Sequence, residues 1–486
     1  MKRHWIWGGL ALIAAAGCGG GSGGGNASAG HLLRYGAVSS PVMDSLAKTL
    51  GTGGFSPGQT VRTGDVVVLD GDAVSPAGLA ADKEIDRILA SGASVLLTDA
   101  KEAHKESMRG AGRAGASVEG DSHALLFSPF RYAGGRRGVY LLDLAAGDRE
   151  MSTKEVVQNE TGTVQGSVQK NTSARRLTEP SMMRFAARVK ELTEVPWTDP
   201  LASTVPPEVS WMSAPFELIE SADDAALNGQ SISESIRFVF RGFSSPPAAD
   251  GPGANTILVE HYGEVVNGKL MVPPGIQKPG GDHPHLFQIS VGWFLTDAKI
   301  SVDVDRTNPS GQAFEPGATI TDVNGDSYQS RYAASISYFD ASRTVQTWGP
   351  DWRFPDPPQA ISSWSLTTQQ SDPVFKYFQT QPFDASLSSP NYFDYYDKAK
   401  NNFRPMPDAS VHQLNLWGAG EFRTTRAVDG PVRFNLRVGR SYTKVNVRFK
   451  FPVFTPPSEA GGVVIEEDGN RPFVIDLAQC RPATQS

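Results

Sequence analysis

The sequence predicts a mainly β chain in which a small α/β domain precedes a β-sandwich. Three observations carry this expectation. Strand-period alternation dominates beyond Pro206; apolar strand runs and one helical pattern share residues 33–145; and two long alternating stretches flank a Gly-, Pro- and Asp-rich tip between His283 and Trp348.

The chain opens Met1-Lys2-Arg3-His4, runs apolar from Trp5 to Ala16 and reaches Gly17-Cys18. This is the pattern of a secretory signal whose apolar core is too short to span a bilayer. Ala15, Ala16 and Gly17 before Cys18 match a bacterial lipobox, so residues 1–18 are expected to be a lipoprotein signal with Cys18 lipidated. Residues 19–32, rich in Gly and Ser, would be a flexible tether. The alternative is cleavage after Ala14-Ala15-Ala16, giving a secreted chain whose Cys18 is free to pair with Cys480. Either way the protein is exported, as a membrane-anchored lipoprotein of the outer membrane or cell surface, or as a secreted chain.

Residues 33–145 read as the α/β domain. Val66-Val67-Val68-Leu69-Asp70 has the continuous apolar character of a strand buried on both faces. Ser75-Pro76 starts a helix carrying Leu79, Ile85, Ile88 and Leu89 that Gly92 ends, and Ser94–Thr98, Ala124–Phe127 and Val139–Leu142 add strands. Gly110-Ala111-Gly112-Arg113-Ala114-Gly115 is a literal GxGxxG, but a polar helix precedes it and no apolar helix follows, so a phosphate-cradling role is not expected.

Residues 146–206 lose apolar side chains and are expected to be a linker, with one amphipathic helix over Pro180–Leu192. Its Met183, Phe185, Ala186, Val189 and Leu192 would pack on a neighbouring sheet. Arg175 and Arg176 offer a trypsin-like protease a cleavage point in that linker.

Residues 207–456 are the predicted sandwich, with strands at Ser235–Arg241, Thr256–Glu260, Leu414–Trp417, Val432–Val438 and Val445–Phe451, and 457–486 is the C-terminal tail. Within it, residues 283–348 read as one long hairpin. Phe287, Ile289, Val291 and Trp293 share a face; after a bulge near Asp297 the parity switches to Ile300, Val302 and Val304. The return carries Ile320, then Tyr332, Ala334, Ile336 and Tyr338. Both arms exceed an ordinary strand of about 5–6 residues and look like a β-barrel stem before assembly. Residues 349–410 crowd aromatics; Trp348, Trp352, Trp364, Tyr392, Phe393, Tyr395 and Tyr396 suit a lipid-headgroup surface, or a subdomain packed on its own rings.

A formal net charge of −7 argues against nucleic acid as a partner. HExxH, CxxC and P-loop motifs are absent, and the GxSxG at Gly20–Gly24 lies in the tether. His283-Pro284-His285 lacks a nearby third ligand, and Asp322, Asn324 and Asp326 are better read as a turn around Asn324-Gly325. No metal, cofactor or enzymatic activity is therefore expected.

Three segments, in order along the chain, resemble the leukocidin/haemolysin family of β-pore-forming toxins, particularly its Vibrio cholerae cytolysin-like branch. Tyr328–Trp348 resembles the returning stem strand, Phe449-Lys450-Phe451-Pro452-Val453-Phe454-Thr455 the last strand of the cytolysin domain, and Ala124–Phe130 the end of the N-terminal pro-domain. The resemblance implies a pro-domain, a leukocidin-like β-sandwich cap, a prestem hairpin and an aromatic rim. It further implies an inactive precursor that a protease activates and that then forms a ring on a lipid membrane, a heptamer, each protomer giving one hairpin to a shared barrel. The other reading is a non-lytic surface lipoprotein that keeps the scaffold for adhesion or binding. The tip favours it, because Ile300, Val302, Val304, Ala318 and Ile320 barely supply the roughly 9–11 residues of apolar-out alternation that a crossing strand needs. An enzyme is the third reading, and a polar pocket at the carboxyl ends of the α/β strands would mark it.

Overall fold

The computed structural model describes residues 30–132, 136–159, 162–199, 202, 210–221, 233–244, 255–267, 286–290, 294–304, 320–321, 327–328, 332–338, 346–347, 351–353, 359–361, 367–368, 376–380, 384–388, 396–397, 402–403, 413–423, 430–450 and 459–480. The molecule is mainly β. Its N-terminal part contains β1 (His31–Tyr35), α1 (Pro41–Ala47), β2 (Gly51–Phe55), β3 (Val66–Asp70), α2 (Pro76–Ala81), α3 (Lys83–Ser91), β4 (Ser94–Ala100), α4 (Glu102–Gly110), β5 (Ala116–Val118), β6 (Ser122–Tyr132) and β7 (Arg136–Ala145). The expected single helix after Ser75 is broken. Asp82 accepts the Glu84 amide at 2.9 Å and caps α3 afresh, because an Asp side chain satisfies a helix N-terminus better than it serves a helix interior. Gly92, with φ +89°, closes α3 in the left-handed conformation that glycine adopts freely.

The expected linker is structured. β8 (Asp148–Asn159) and β9 (Gly162–Ala174) form an antiparallel hairpin, and α5 (Glu179–Glu194) follows. The polar alternation of 148–174 hid two strands because an edge hairpin needs few apolar residues. α5 does pack on a sheet through Phe185, Ala186, Val189 and Leu192, but Met183 is exposed. Thr178 caps α5, its hydroxyl accepting the Ser181 amide at 3.3 Å. Thr178→Ala is expected to lower the unfolding free energy by about 0.5–2 kcal/mol, read from urea midpoints.

The sandwich adds β10 (Ser210–Ser221), β11 (Ser233–Ser244), β12 (Asn255–Asn267), β13 (Leu286–Ser290) and β14 (Phe294–Val304). Short strands follow: β15 (Ile320–Thr321), β16 (Ser327–Tyr328), β17 (Tyr332–Tyr338), β18 (Gln346–Thr347), β19 (Asp351–Arg353), β20 (Gln359–Ile361), β21 (Thr367–Thr368), β22 (Lys376–Thr380), β23 (Asp384–Ser388), β24 (Tyr396–Asp397) and β25 (Asn402–Phe403). The chain returns through β26 (Gln413–Arg423), β27 (Pro431–Lys450) and β28 (Glu459–Asp476). The two strands expected at 432–438 and 445–451 are one continuous strand, and much of the expected tail is its long partner β28.

Two sheets stack. The larger runs β2-β1-β3-β4-β6-β7-β10-β11-β12-β26-β17-β18-β21, the smaller β22-β23-β14-β27-β28-β8-β9. Between them Phe216, Phe238 and Phe240 meet Phe434 and Phe473, with ring centroids 4.8–4.9 Å apart for Phe240–Phe434, Phe240–Phe473 and Phe216–Phe473. A second core on the far face of the larger sheet packs α1 and α5 on Leu32, Val66, Leu126, Tyr140, Leu142, Trp211 and Phe243.

The N-terminal strands and the sandwich share one sheet. β7 pairs in parallel with β10, from Leu141↔Phe216 to Leu144↔Ile219, while β5 and β8 pair with β28. A boundary at residue 145 was expected from composition, which reports local character and is blind to which distant strand supplies a hydrogen-bonding neighbour.

Candidate functional site

The segment expected to act on membranes is launched and recovered at neighbouring strands. β12 and β26 are antiparallel partners, and Asn267, where β12 ends, lies opposite Gln413, where β26 begins. Residues 268–412 are thus an excursion from one end of the larger sheet. The strands it returns to the two sheets all sit on their outer sides: β17, β18 and β21 beyond β26, and β13, β14, β23 and β22 beyond β27.

Among the described residues, the two arms of the expected hairpin are paired with other strands rather than with each other. Phe287 and Ile289 lie on β13 opposite Phe449 and Val447, and β14 pairs with β27 on one side and β23 on the other. Tyr332, Ala334, Ile336 and Tyr338 lie on β17 opposite Gly420, Gly418, Leu416 and Leu414 of β26, in the other sheet. Alternation marked both arms as strands, but two alternating strands in sequence need not be each other's partners. The bulge is where the parity change put it, between Leu295 and Asp297.

Ile300 and Val302 are fully buried, in the core with Val432, Phe434, Leu436 and Val438. Val304 pairs with Phe434, and Ile320 with Tyr328 in a separate two-residue ladder. Among the rim residues, Trp352 pairs with Ala360 and Tyr396 with Phe403. Cys18, Val291, Trp293, Trp348, Trp364, Tyr392, Phe393 and Tyr395 lie outside the described residues.

The two arginines of the expected cleavage point differ. Arg176 is exposed, whereas Arg175 is buried and donates to Glu220 at 2.7 Å and to the Asp148 carbonyl at 2.8 Å. Sequence reading missed why: a buried polar seam binds the N-terminal elements to both sheets. Glu220 of β10 also takes Arg440 of β27, which reaches Glu234 of β11 at 2.8 Å. Arg471 of β28 donates to Asp143 of β7 at 2.8 Å and to Ser122 at 2.9 Å, and Lys105 of α4 reaches Ser122 and the Gly120 carbonyl, both at 2.6 Å. Glu217 accepts from Arg188 at 2.7 Å and from Ser235 at 2.6 Å, with Arg237 at 3.4 Å. Burial opposes ionisation of Glu217, yet Arg237 and Arg188 hold its carboxyl at about 2. The legible signal was charge placed inside apolar strands, as in Phe216-Glu217-Leu218-Ile219-Glu220.

At the carboxyl ends of the parallel strands β3 and β4, Asp70, Asp72 and Asp99 bring carboxylate oxygens within 4.8 Å of one another, the described cluster able to receive a cation. Burial and the charges of Asp72 and Asp70 push the Asp99 carboxyl up. Asp70 already accepts the Asp72 amide at 3.0 Å. The GxGxxG follows α4 and leads into β5, so it does not cradle a phosphate at a helix start. None of the described helices is long and apolar enough to cross a membrane.

No family model matches the sequence, and no curated protein is similar to it. Solved structures that are similar in part include three that each cover about half of this chain. One is described as a pore forming protein: 9% identity, TM-score 0.31, covering 56% of this chain and 94% of that one. The Clostridium perfringens delta-toxin has 9% identity and a TM-score of 0.29, covering 54% and 95%. The Clostridium perfringens NetB toxin in the membrane inserted form has 12% identity and a TM-score of 0.23, covering 55% and 97%.

Proposed function

We propose that this chain is a pore-forming protein of leukocidin-like build, exported and anchored through Cys18, held here in an unassembled form. The observation that carries this reading is the placement of residues 268–412. Because the excursion's strands lie outermost beyond β26 and β27, they can peel away while β10-β11-β12-β26 and β27-β28 stay paired. A transmembrane strand must have every backbone group satisfied, so the peeled arms would insert only as neighbouring protomers close a barrel. Of the segments that resemble cytolysins, Ala124–Phe130 lies on β6, Tyr332–Tyr338 forms β17, and Phe449 and Lys450 end β27.

On this reading the activating cut falls after Arg176, which is exposed, whereas Arg175 is buried. The cut alone releases nothing: the N-terminal strands stay zipped to β10 and β28. Activation therefore includes opening the polar seam. Ring assembly, the lipid-facing role of Trp352 and Tyr396, and the protease belong to the same proposal.

One observation favours the non-lytic reading. Peeling β14 takes Ile300 and Val302 out of the core, at about 1.5–3 kcal/mol for each side chain. A lock separates the two. Val302 lies opposite Leu436, and Val302→Cys with Leu436→Cys, in a Cys480→Ser background, ties β14 to β27. Unlocked protein nicked by limited trypsin is expected to empty dye-loaded liposomes; the oxidised lock should abolish leakage and reductant restore it. Intact liposomes with nicked, unlocked protein at micromolar concentration would leave the binding role standing.

A further inference from the structure

A cavity of about 240 Å³ opens where the N-terminal elements meet the sandwich. α3 gives it Leu89, β6 and β7 give Pro129 and Val139, and β10 gives Met212 and Ala214, so its walls are largely apolar. The carboxylate in the lining is already neutralised: Asp86 meets Arg113 at 2.6 Å on one oxygen and Lys83 at 3.8 Å on the other. Arg137, an exposed residue of the same lining, is not. Its partner across the β6–β7 ladder is Arg131, also exposed, so two arginines stand directly opposite each other on the face that Pro129 and Val139 share. Like charges so placed destabilise a ladder. Among the described residues neither arginine has a carboxylate partner, and Ala133-Gly134-Gly135, which joins the two strands in sequence, brings no charge.

We infer that this cavity binds a small organic acid, with the carboxylate held between Arg131 and Arg137 and the apolar body lying against the walls. Directly opposed residues of an antiparallel pair have Cβ atoms about 4.5–5.5 Å apart, a spacing at which two guanidinium groups can share one carboxylate. The bound anion turns the opposed charges from a defect into a site. The GxGxxG loop supplies wall and not head-group donors, because the Gly112 and Arg113 amides are spent on the Arg109 and Met108 carbonyls at 2.9 and 3.2 Å. Mainly apolar walls with a few polar groups are what orient a small ligand, and the volume lies below the roughly 300–1,000 Å³ of drug-sized pockets, which selects a short acid. The inference does not rest on the pore-forming reading. A ligand here would touch α3, β7 and β10 at once, tying the N-terminal elements to the sandwich.

Titration calorimetry and thermal melts of the full chain test this with octanoate, using octanol and acetate as its uncharged and tail-less counterparts. Octanoate is expected to bind once per chain and to raise the melting temperature, and the other two to do neither. Arg131→Gln with Arg137→Gln should weaken octanoate binding at least roughly tenfold, since charge-assisted hydrogen bonds are lost. Both positions are exposed, and a ligand-free melting temperature no lower than that of the wild type checks the fold. Val139→Phe, which fills the cavity from its wall, should weaken binding with both arginines in place. Failure of octanoate to bind, octanol binding equally well, or undiminished affinity in the double arginine variant overturns the proposal. So does binding of anionic phospholipid vesicles through the two arginines without binding of octanoate, which would place the anion on a lipid surface and not in the cavity.

Discussion

Glu220→Gln is expected to lower the unfolding free energy by about 3–5 kcal/mol, the cost of breaking a buried pair by removing one partner. Glu220 is fully enclosed and takes Arg175 on one oxygen and Arg440 on the other. These side chains come from β10, from the connection after β9 and from β27, so the carboxylate joins the two sheets and the N-terminal hairpin at one point. Glutamine keeps the shape but not the charge, leaving the guanidinium groups in a site too dry to solvate them. The pH response gives a second readout. Burial raises the Glu220 carboxyl, but Arg440, Arg175 and Arg149 outweigh it and hold it at about 2, against 4.5 for an unperturbed glutamate. A depressed carboxyl contributes stability in full above 4.5, and that contribution is lost as pH falls towards 2. Wild-type stability should therefore decline between these limits, and the variant's decline should be shallower by one proton, about 1.4 kcal/mol per pH unit. Glu217, held equally low, keeps the remaining slope. Urea unfolding at pH 7 and pH 3.5 measures both effects. A loss under about 1 kcal/mol at pH 7 would mean that the seam is wet and Glu220 replaceable.

Local pattern made several elements legible. The apolar run Val66–Leu69 is a buried strand, Gly92 ends a helix, and the parity change at Asp297 is a bulge in β14. Partnership was not legible. Alternation in Phe294–Val304 and Tyr332–Tyr338 is equally satisfied by pairing with each other or with β27 and β26, because period 2 records which face is apolar and says nothing of the neighbour. The same blindness turned β8 and β9 into a linker and β28 into a tail. Their polar residues Lys154 and Glu466 reach each other at 2.5 Å, a contact between distant parts of the chain that composition reads as two solvated stretches.

The excursion was legible as a unit but its anchorage was not. Ile300 and Val302 look like lipid-facing residues of a stem and are core residues of the described fold. An Asp at either position would therefore destabilise the protein itself by several kcal/mol, and lost lysis would not distinguish insertion from folding. The Val302–Leu436 lock avoids this because it strengthens the described arrangement.

Lys105→Met is expected to remove a rise in stability with pH that the wild-type protein shows above neutrality. Lys105 is buried on α4, where its ammonium meets the Gly120 carbonyl and Ser122. Four charged groups face it: Asp143 of β7, Arg471 of β28, Asp121 before β6, and Glu102 on α4 itself. Asp143 would be its natural counter-ion but is engaged by Arg471 and by the Ser122 hydroxyl. Desolvation therefore dominates over the attraction of Asp143 and lowers the amine from 10.5 to about 7. In the unfolded chain the amine keeps its proton to about 10.5, so between these values the unfolded state binds one proton more than the folded state. Stability must rise with pH across that window by about 1.4 kcal/mol per unit, and the contribution is lost as pH falls back to 7. Methionine occupies similar volume and cannot titrate. Subtracting its urea-derived stability from that of the wild type at pH 7.5, 8.5 and 9.5 isolates the contribution of Lys105. Parallel curves would show that Lys105 stays protonated in the folded protein. A wild-type-minus-Met difference that is constant below neutrality and rises with pH above it would place a titrating group at the joint between α4, β6, β7 and β28, the joint that the proposed activation has to open.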